Sequence, residues 1–342
     1  MTMNTSQTGA ATTIGTVTCI TIPAVHTLTR TELPIPTIDM SEQVLITDVG
    51  PRDGLQNQPR ILSVEERLRL IGAIAAAGVT SIEVGSFVSP KAVPAMAGTD
   101  AVVKALAGTG PAHYTALIPN LKGYELARAA GARSVTMVLY ASDGMAHKNV
   151  NMSMAQAETV TAAILAAARE DAIEVIAAIS VAFACPVDGP TDPGVVRAVA
   201  AKFLSLGADQ VVIADTIGAG NPQQVRRLTA ELVREHGAAR LGCHFHDTRA
   251  LGLANVYAAL ESGIRRFDAS IAGLGGCPFA PGASGNVATE DVAMLLEQMG
   301  FDTGIDLDAL VRASDLAEEL TGTAPGGRSK PWLKPWLAKR AG

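Results

Sequence analysis

Residues 44–57 have the sequence VLITDVGPRDGLQN, and this stretch decides between two α/β folds. The apolar run at its start predicts a buried strand, which the Gly50-Pro51 turn ends. A doubly wound sheet would follow its first strand with a G-x-G-x-x-G turn, and that pattern is absent here. Arg52 and Asp53 follow the strand directly, at the end where (β/α)8 barrels carry their catalytic residues. A surface ion pair is the alternative for these two side chains.

Short apolar runs and amphipathic stretches alternate along the rest of the chain. Eight runs predict buried parallel strands: Val44–Val49, Thr80–Val84, Tyr114–Ile118, Ser134–Leu139, Ile173–Phe183, Gln210–Ala214, Leu241–Phe245 and Arg266–Ile271. Six stretches predict the helices between them: Val64–Ala77, Leu121–Ala130, Met154–Glu170, Pro193–Leu206, Pro222–His236 and Leu251–Ser262. Such alternation is typical of right-handed βαβ units. We therefore predict an α/β protein with a (β/α)8 TIM barrel, which usually takes about 250 residues, and a small appended C-terminal region.

The two ends of the chain differ from the barrel in composition. Residues 1–43 are rich in threonine and show neither the basic start and apolar core of a signal peptide nor the arginines of a transit peptide. We expect a flexible extension over residues 1–43, the barrel domain over residues 44–320 and a tail over residues 321–342. The tail carries Trp332 and Trp336, which we expect to lie against the barrel or a partner subunit.

Composition excludes several classes of protein. A net charge of -6 argues against a nucleic-acid partner, which normally requires a basic face. The mean hydropathy of +0.25 is high, yet no uncharged apolar run reaches the ~18 residues that a membrane span requires. The four cysteines are too few and too scattered for a disulfide scaffold, so we expect an enzyme of a reducing compartment, by default the cytoplasm.

The seventh predicted strand ends in Cys243-His244-Phe245-His246-Asp247-Thr248. Alternate residues of a strand share a face, so the two imidazoles point the same way, about 7 Å apart along the strand. A single histidine is more often a core residue. Two of the six histidines at the catalytic end of one strand predict a metal site.

The eighth predicted strand is followed by the glycine-rich segment GLGGCPFAPGASGN, residues 273–286. Its glycines permit positive φ and movement, and Cys277 lies at its centre. An accessible thiol on a mobile loop is suited to donating or accepting a proton when the site closes. A buried structural cysteine is the alternative. Asn286, at the end of the segment, is either a helix N-cap or a site residue.

Seven segments together resemble one family. They are Asp48–Asn57, Glu83–Lys91, Pro119–Gly123, Lys148-Asn149, Asp215–Gly218, His244–Thr248 and Gly273–Asn286. In this order they resemble the 3-hydroxy-3-methylglutaryl-CoA lyase family, within the larger group of metal-dependent barrel lyases and condensing enzymes. The segment around Cys277 is the most specific part of the resemblance, which covers roughly residues 44–310.

The resemblance implies a metal site and a reaction. The ligands that match are Asp53, His244, His246 and Asn286, a donor set suited to Mg2+ or Mn2+. The implied reaction is the retro-Claisen cleavage of a tertiary 3-hydroxyacyl-CoA to acetyl-CoA and a keto acid, acetoacetate for the family substrate. The implied setting is leucine catabolism or ketone-body metabolism, and the implied assembly is a homodimer.

The resemblance also implies roles for further residues. Arg52 matches the arginine that stabilises the enolate oxygen, and Cys277 matches a thiol associated with proton transfer. The division of acid and base roles among Asp53, His244 and Cys277 stays open. Groups expected to orient the ligands are Asp48, Glu83, Asp215 and Glu290. Candidate substrate-binding residues, including those for the CoA nucleotide, are Gln56, Lys91, Asn120, Lys148 and Arg249.

The sequence departs from the family pattern near the expected substrate. Arg249-Ala250-Leu251 replaces the usual Tyr-Gly-Gln, Ala92 replaces an aromatic residue, and Asp143 and Asp188 each replace a glutamate. These changes indicate a reshaped acyl pocket, in which Arg249 holds a second carboxylate or pairs with Asp143 or Asp188. The alternative substrates are citramalyl-CoA and longer-chain analogues. A condensing synthase and a non-catalytic scaffold are weaker alternatives, because little chain follows the barrel and the expected metal ligands are intact.

Overall fold

A computed structural model describes residues 42–276, 285–323 and 327–341 of the protein. Its strands are β1 (Leu45–Asp48), β2 (Ser81–Ser86), β3 (His113–Ile118), β4 (Ser134–Tyr140), β5 (Glu174–Ser180), β6 (Ala184–Cys185), β7 (Gly189–Pro190), β8 (Gln210–Asp215), β9 (Leu241–Phe245) and β10 (Arg266–Ala269). Within the described residues, eight parallel strands close a barrel in the order β1-β10-β9-β8-β5-β4-β3-β2. The predicted (β/α)8 barrel is therefore confirmed, and each predicted run overlaps one of its strands.

The helices alternate with the barrel strands and extend beyond them. They are α1 (Val64–Ala76), α2 (Thr99–Leu106), α3 (Leu121–Ala130), α4 (Asp143–Val150), α5 (Met154–Asp171), α6 (Pro193–Leu206), α7 (Pro222–His236), α8 (Gly252–Glu261), α9 (Thr289–Gln298), α10 (Leu307–Thr321) and α11 (Lys330–Ala341). The six predicted helices correspond to α1, α3, α5, α6, α7 and α8. The helices α2 and α4 have only eight residues each, too few for a clear 3.6-residue period in the sequence.

The two faces of β9 carry different chemistry, as the alternation in its sequence predicts. Leu241, Cys243 and Phe245 are buried in the main apolar core. His244 and His246 lie on the opposite face because successive side chains of a strand alternate. The register of the neighbouring strand pairs Asp268 of β10 with His244. The barrel therefore supplies a carboxylate beside one of the two imidazoles.

A buried arginine fixes the backbone around the end of β2. Arg67 of α1 donates hydrogen bonds to the carbonyls of Val84 (2.9 Å) and Ala97 (3.0 Å) and to Thr99 Oγ1 (3.3 Å). A buried charge is tolerated when hydrogen bonds replace its hydration. These bonds hold β2 against the start of α2, and the residue before Val84 is the site carboxylate Glu83.

The C-terminal helix α11 is fastened to the barrel at its first turn. Asp291 of α9 accepts hydrogen bonds from the backbone N–H groups of Arg328 (2.9 Å) and Ser329 (2.8 Å), and from Ser329 Oγ (2.5 Å). Lys330 forms an ion pair with Glu318 of α10 at 2.7 Å. The appended region is therefore a docked helix, which its proline-containing sequence did not predict.

Both tryptophans of the chain lie on α11. The rings of Trp332 and Trp336 stack with their centroids 5.3 Å apart, and Trp332 remains 50% exposed. Leu333 is the fully buried residue of this turn. Trp332 is therefore not covered by the barrel, and the expectation that it lies against a partner subunit stays a prediction.

Two of the predicted features fall outside the described residues. They are residues 1–41 of the predicted extension and Cys277, which belongs to the undescribed segment 277–284. The described chain begins at the barrel itself, because Gln43 forms a β-bridge with Asp302. Among the described helices, none is both long enough and apolar enough to cross a membrane.

Replacement of Asp291 by alanine should loosen α11 while leaving the barrel folded. The substitution removes the acceptor of three hydrogen bonds and costs roughly 1–3 kcal/mol locally. Because both tryptophans lie on α11, acrylamide quenching of tryptophan fluorescence should increase in Asp291→Ala. Asp308→Ala, on the exposed side of α10, is the matched control and should leave quenching unchanged. Unaltered quenching in a folded Asp291→Ala protein would contradict this account of how α11 docks.

Candidate active site

Three groups able to ligate a metal meet at the carboxyl ends of β1 and β9. One ligand atom each from Asp53, His244 and His246 lies within 4.8 Å of the others. The imidazole centroids are 5.1 Å apart on one face of β9. Asp53 belongs to a single π-helical turn, Gly50–Gly54, whose backbone N–H groups converge on the carbonyl of Val49. The predicted carboxylate and imidazoles are therefore brought together by two non-adjacent parts of the sequence.

Asn286 joins this cluster from the segment after β10. It forms a β-bridge with His246, and its Nδ2 donates to Asp53 Oδ2 at 2.8 Å. It is not a helix N-cap, since Ala288 occupies that position before α9. Glycine is required at position 275, because a Cβ there would lie 2.8 Å from Asn286 Nδ2.

Buried polar atoms without hydrogen-bond partners indicate that the cluster can accommodate a divalent cation. Among the described residues, the buried atoms His246 Nδ1 and Asn286 Oδ1 have no hydrogen-bond partner. A buried polar atom left without a partner costs about 1–3 kcal/mol. A cation among one carboxylate, two imidazoles and an amide oxygen would satisfy Asn286 Oδ1, and this donor set is one that divalent cations accept.

Arg52 is held between two carboxylates beside the cluster. Its Nε donates to Glu83, and its Nη1 donates to Asp53 Oδ1 at 2.5 Å. Burial alone would raise the pKa of Asp53, but the positive charge of Arg52, with smaller contributions from His244 and His246, lowers it to about 2. Asp53 is therefore ionised and able to bind a cation throughout the physiological range.

The two histidines have different electrostatic surroundings. Burial, with a smaller contribution from the neighbouring His244, lowers the pKa of His246 to about 4, so its imidazole is neutral. Burial also disfavours the charged form of His244, but Asp268 outweighs it and raises the pKa of that imidazole. Asp268 Oδ2 lies 3.3 Å from His244 Nδ1. Asp268 is not among the site residues predicted from the sequence, although it occupies the position of β10 that pairs with His244.

Three of the four predicted orienting carboxylates hold loop backbone, whereas Glu83 holds Arg52. Asp48 accepts from Gly50 N (2.8 Å) and Thr289 Oγ1 (2.7 Å), and burial raises its pKa to about 6. Asp215 accepts from the N–H groups of the loop after β8, at residues 219 and 220. Glu290 accepts from Ala272 N at 3.0 Å. Asp48, Asp215 and Glu290 therefore support the loops that carry the site, and among the described residues none of their hydrogen bonds goes to a side chain of the candidate metal ligands.

The predicted substrate-binding residues lie in the segments that follow the carboxyl ends of β1, β2, β3, β4 and β9. Asn120 caps α3, because its Oδ1 accepts from Gly123 N at 3.0 Å. Gln56 is half-buried just after the Asp53 turn. The three basic side chains that follow β2, β4 and β9 are exposed, namely Lys91, Lys148 and Arg249. The positive charge of Arg249 lowers the pKa of Asp215, against the larger rise that burial causes.

Asp143 and Asp188, two of the departures from the family pattern, are engaged away from Arg249. Asp143 Oδ1 accepts from Met154 N at 2.7 Å, and Asp188 Oδ2 accepts from Ser142 Oγ (2.6 Å) and Gly144 N (2.8 Å). The proposed pairing with Arg249 is therefore wrong for both. The pattern change at position 250 has a backbone consequence, since Ala250 has a φ of 59°, a conformation that favours glycine.

The segment that leads to Cys277 is anchored beside the Arg52–Asp53 turn. Asn57 Nδ2 donates to the carbonyl of Gly276 at 3.0 Å, and Gln58 Nε2 donates to that of Gly275 at 3.4 Å. Cys277 itself lies outside the described residues. Its neighbour in the chain, Gly276, is nevertheless bound by Asn57. Asn57 lies four residues after Asp53, at the end of the barrel that carries the cluster.

Glu290 predicts a change of stability with pH. Burial raises the pKa of this carboxyl from 4.5 to about 7, so folding favours its protonated form. Its contribution to stability is intact below pH 4.5 and is lost as the pH rises through 7. Glu290→Gln cannot ionise, so the variant does not show this loss. The difference in free energy of unfolding, variant minus wild type, should therefore become more positive by on the order of 2 kcal/mol between pH 5 and pH 8. Urea denaturation at several pH values measures this difference.

The matched control for Glu290→Gln is Glu319→Gln, because Glu319 is exposed on α10. The control should show no difference from wild type that depends on pH. An equally flat profile for Glu290→Gln would show that Glu290 is not held protonated by its surroundings.

Comparisons with known proteins agree with this geometry. The HMGL-like family model matches residues 43–317. Hydroxymethylglutaryl-CoA lyase of Pseudomonas mevalonii is 43% identical, over 84% of this chain and 96% of the relative. (R)-citramalyl-CoA lyase of Chloroflexus aurantiacus is 44% identical, over 80% of this chain and 90% of the relative. The crystal structure of hydroxymethylglutaryl-CoA lyase from Pseudomonas aeruginosa superposes with a TM-score of 0.83 at 42% identity, covering 87% of this chain and 99% of the other. The chain therefore belongs to the HMGL-like family and is an enzyme of the lyase class.

Proposed function

We propose that the protein is a divalent-metal-dependent carbon–carbon lyase that cleaves 3-hydroxy-3-methylglutaryl-CoA to acetyl-CoA and acetoacetate. The observation that carries the proposal is the convergence of Asp53, His244, His246 and Asn286 beside the clamped Arg52. Relatives whose names give this activity and that of a citramalyl-CoA lyase align over most of the chain. An acyl-CoA thioester is therefore the substrate class, and we propose a homodimer as the assembly.

The residues that would hold the metal are Asp53, His244, His246 and Asn286, and Mg2+ or Mn2+ suits their set of two oxygen and two imidazole donors. A bound divalent ion lowers the pKa of a substrate hydroxyl and polarises substrate oxygens. The chain's own contribution is to hold these donors in place before substrate arrives. Asp53 does so through Arg52 and Asn286, and His244 does so through Asp268.

Arg52 is suited to stabilising the negative charge that develops on the thioester oxygen. Cleavage of the bond between C2 and C3 leaves the electron pair on the acetyl-CoA fragment as an enolate. Glu83 and Asp53 fix the guanidinium in advance, so little reorganisation accompanies that change of charge. One proton must leave the tertiary hydroxyl, and one must reach the enolate carbon. We assign these transfers to Asp53, His244 and Cys277 as a group, in which an imidazole that binds the metal cannot itself be the free base.

The two candidate substrates differ in the position of the terminal carboxylate, which the pocket must distinguish. 3-Hydroxy-3-methylglutaryl-CoA and citramalyl-CoA share the thioester, the tertiary alcohol and a methyl group. The first has one more methylene between the alcohol carbon and its terminal carboxylate, and its keto-acid product is acetoacetate rather than pyruvate. The named relatives are equally similar to this chain, at 43% and 44% identity. Arg249 is exposed at the end of β9, and we propose it as a cation that senses the position of that carboxylate.

The proposal is tested by incubating purified protein and Mg2+ with a panel of 3-hydroxyacyl-CoA thioesters and identifying products by mass spectrometry. We expect acetyl-CoA and acetoacetate from 3-hydroxy-3-methylglutaryl-CoA, and loss of turnover with excess EDTA. Faster release of pyruvate from citramalyl-CoA would replace the proposed substrate by the alternative. Absence of cleavage across the panel, with metal bound, would reject the lyase proposal.

Arg52→Met should reduce kcat by roughly 10²–10³-fold even at saturating metal, because it removes stabilisation of the developing oxyanion. Any change in metal affinity that follows from the lost contact with Asp53 is a separate effect. Arg69→Met is the matched control, since Arg69 pairs with Glu319 on the exposed surface of α1. Steady-state kinetics with metal saturation checked by calorimetry separate the two effects. A kcat for Arg52→Met close to that of wild type would contradict the role assigned to this arginine.

A further inference from the structure

Asp268 lies next to a residue of the metal cluster without belonging to the cluster itself. It is on β10, and the strand register pairs it with His244 on β9. Its Oδ2 lies 3.3 Å from His244 Nδ1, and both side chains are largely buried, at 21% and 12% exposed. A parallel strand pair holds the two residues together, so their contact does not depend on a loop.

This contact decides which nitrogen of His244 can face a metal. A neutral imidazole carries one N–H and one lone pair, and a carboxylate can only accept. The N–H of His244 is therefore placed on Nδ1 by Asp268, which leaves the lone pair on Nε2. A carboxylate partner of this kind fixes both the tautomer and the orientation of a metal-binding histidine.

The second histidine of the cluster lacks such a partner. Among the described residues, His246 Nδ1 is buried and makes no hydrogen bond. His246 is instead tied through its backbone, because it forms a β-bridge with Asn286. The chain thus fixes one imidazole by a side-chain carboxylate and the other by its main chain.

Arg52 does not compete for Asp268 by direct contact. The guanidinium already donates to Glu83 and Asp53, and Asp268 acts on it only through its charge. Removal of Asp268 would leave both of those ion pairs in place. Its structural effect should therefore be concentrated on His244.

We propose that Asp268 is a positioning residue that holds the N–H of His244 on Nδ1 and turns Nε2 toward Asp53 and His246, so that the metal site is assembled before the metal arrives. The inference rests on the proposed function only in taking the cluster to be a metal site. It does not depend on which thioester is cleaved. Asp268→Asn keeps the shape of the side chain and can offer an N–H to Nδ1, which reverses the preferred tautomer.

The test uses metal-free protein labelled with 15N at histidine, in which long-range 1H–15N spectra report the tautomer of each imidazole. Signals of His244 are assigned by their loss in His244→Gln. We expect the Nδ1–H form in wild type and the Nε2–H form in Asp268→Asn. Calorimetric titration with Mn2+ should show affinity reduced by on the order of 10–100-fold in the variant.

Glu174→Gln is the matched control, because Glu174 binds a different barrel histidine, His113, at 2.6 Å. These residues begin β5 and β3, at the opposite end of the strands from the cluster. The control should alter the signals of His113 and leave Mn2+ affinity at the wild-type value.

An unchanged His244 tautomer and unchanged Mn2+ affinity in folded Asp268→Asn would overturn the proposal. Should this variant fail to fold by circular dichroism, Asp268→Glu provides the second measurement, since a carboxylate on a longer side chain should keep the Nδ1–H form. Loss of that form in Asp268→Glu would count against the proposal. A protein that binds Mn2+ in an Asp268-dependent way but cleaves no thioester would reject the proposed function while supporting the role of Asp268.

Discussion

The guanidinium of Arg52 is held between the carboxylates of Glu83 and Asp53, and this chain of charges organises the end of the barrel that carries the site. Glu83 comes from β2 and Asp53 from the turn after β1, so the ion pairs join two neighbouring strands. Removing one partner of such a buried set leaves a charge uncompensated, at a cost of about 3–5 kcal/mol. With Asp268 also nearby, the carboxylates outnumber the arginine, and the excess negative charge favours a cation beside Asp53.

The loops around this cluster are held by buried carboxylates that accept backbone N–H groups. Asp48, Asp215 and Glu290 each do so after a different strand. Burial raises the pKa of all three, so part of their stabilising effect is lost to desolvation. What the protein gains is a fixed loop geometry, which catalysis by preorganised charges requires. The segment approaching Cys277 is tied down in the same region by Asn57.

The C-terminal helix α11 is connected to the site through a short series of contacts. Asp291 of α9 fixes the backbone at Arg328, and the side chain of Arg328 pairs with Asp247 at 3.1 Å. Asp247 follows the candidate ligand His246 directly in the chain. A region beyond the family match, which ends at residue 317, thus contacts the loop after β9. A change in this region can therefore affect the loop after β9 without altering the residues of the metal cluster.

The sequence by itself determined the barrel and the core of the cluster. The eight apolar runs and the period-two spacing of His244 and His246 express local rules of strand geometry, and the residues after β1 follow from the same rules. The tertiary structure decided what those rules do not contain. The pairing of Asp268 with His244 depends on strand register, the bond from Asn286 to Asp53 joins positions 233 residues apart, and the capping of backbone by Asp143 and Asp188 replaced the ion pairs expected with Arg249. Such contacts depend on how separate segments of the chain meet in space. A linear pattern of residue types does not encode the distance between side chains that are far apart in sequence.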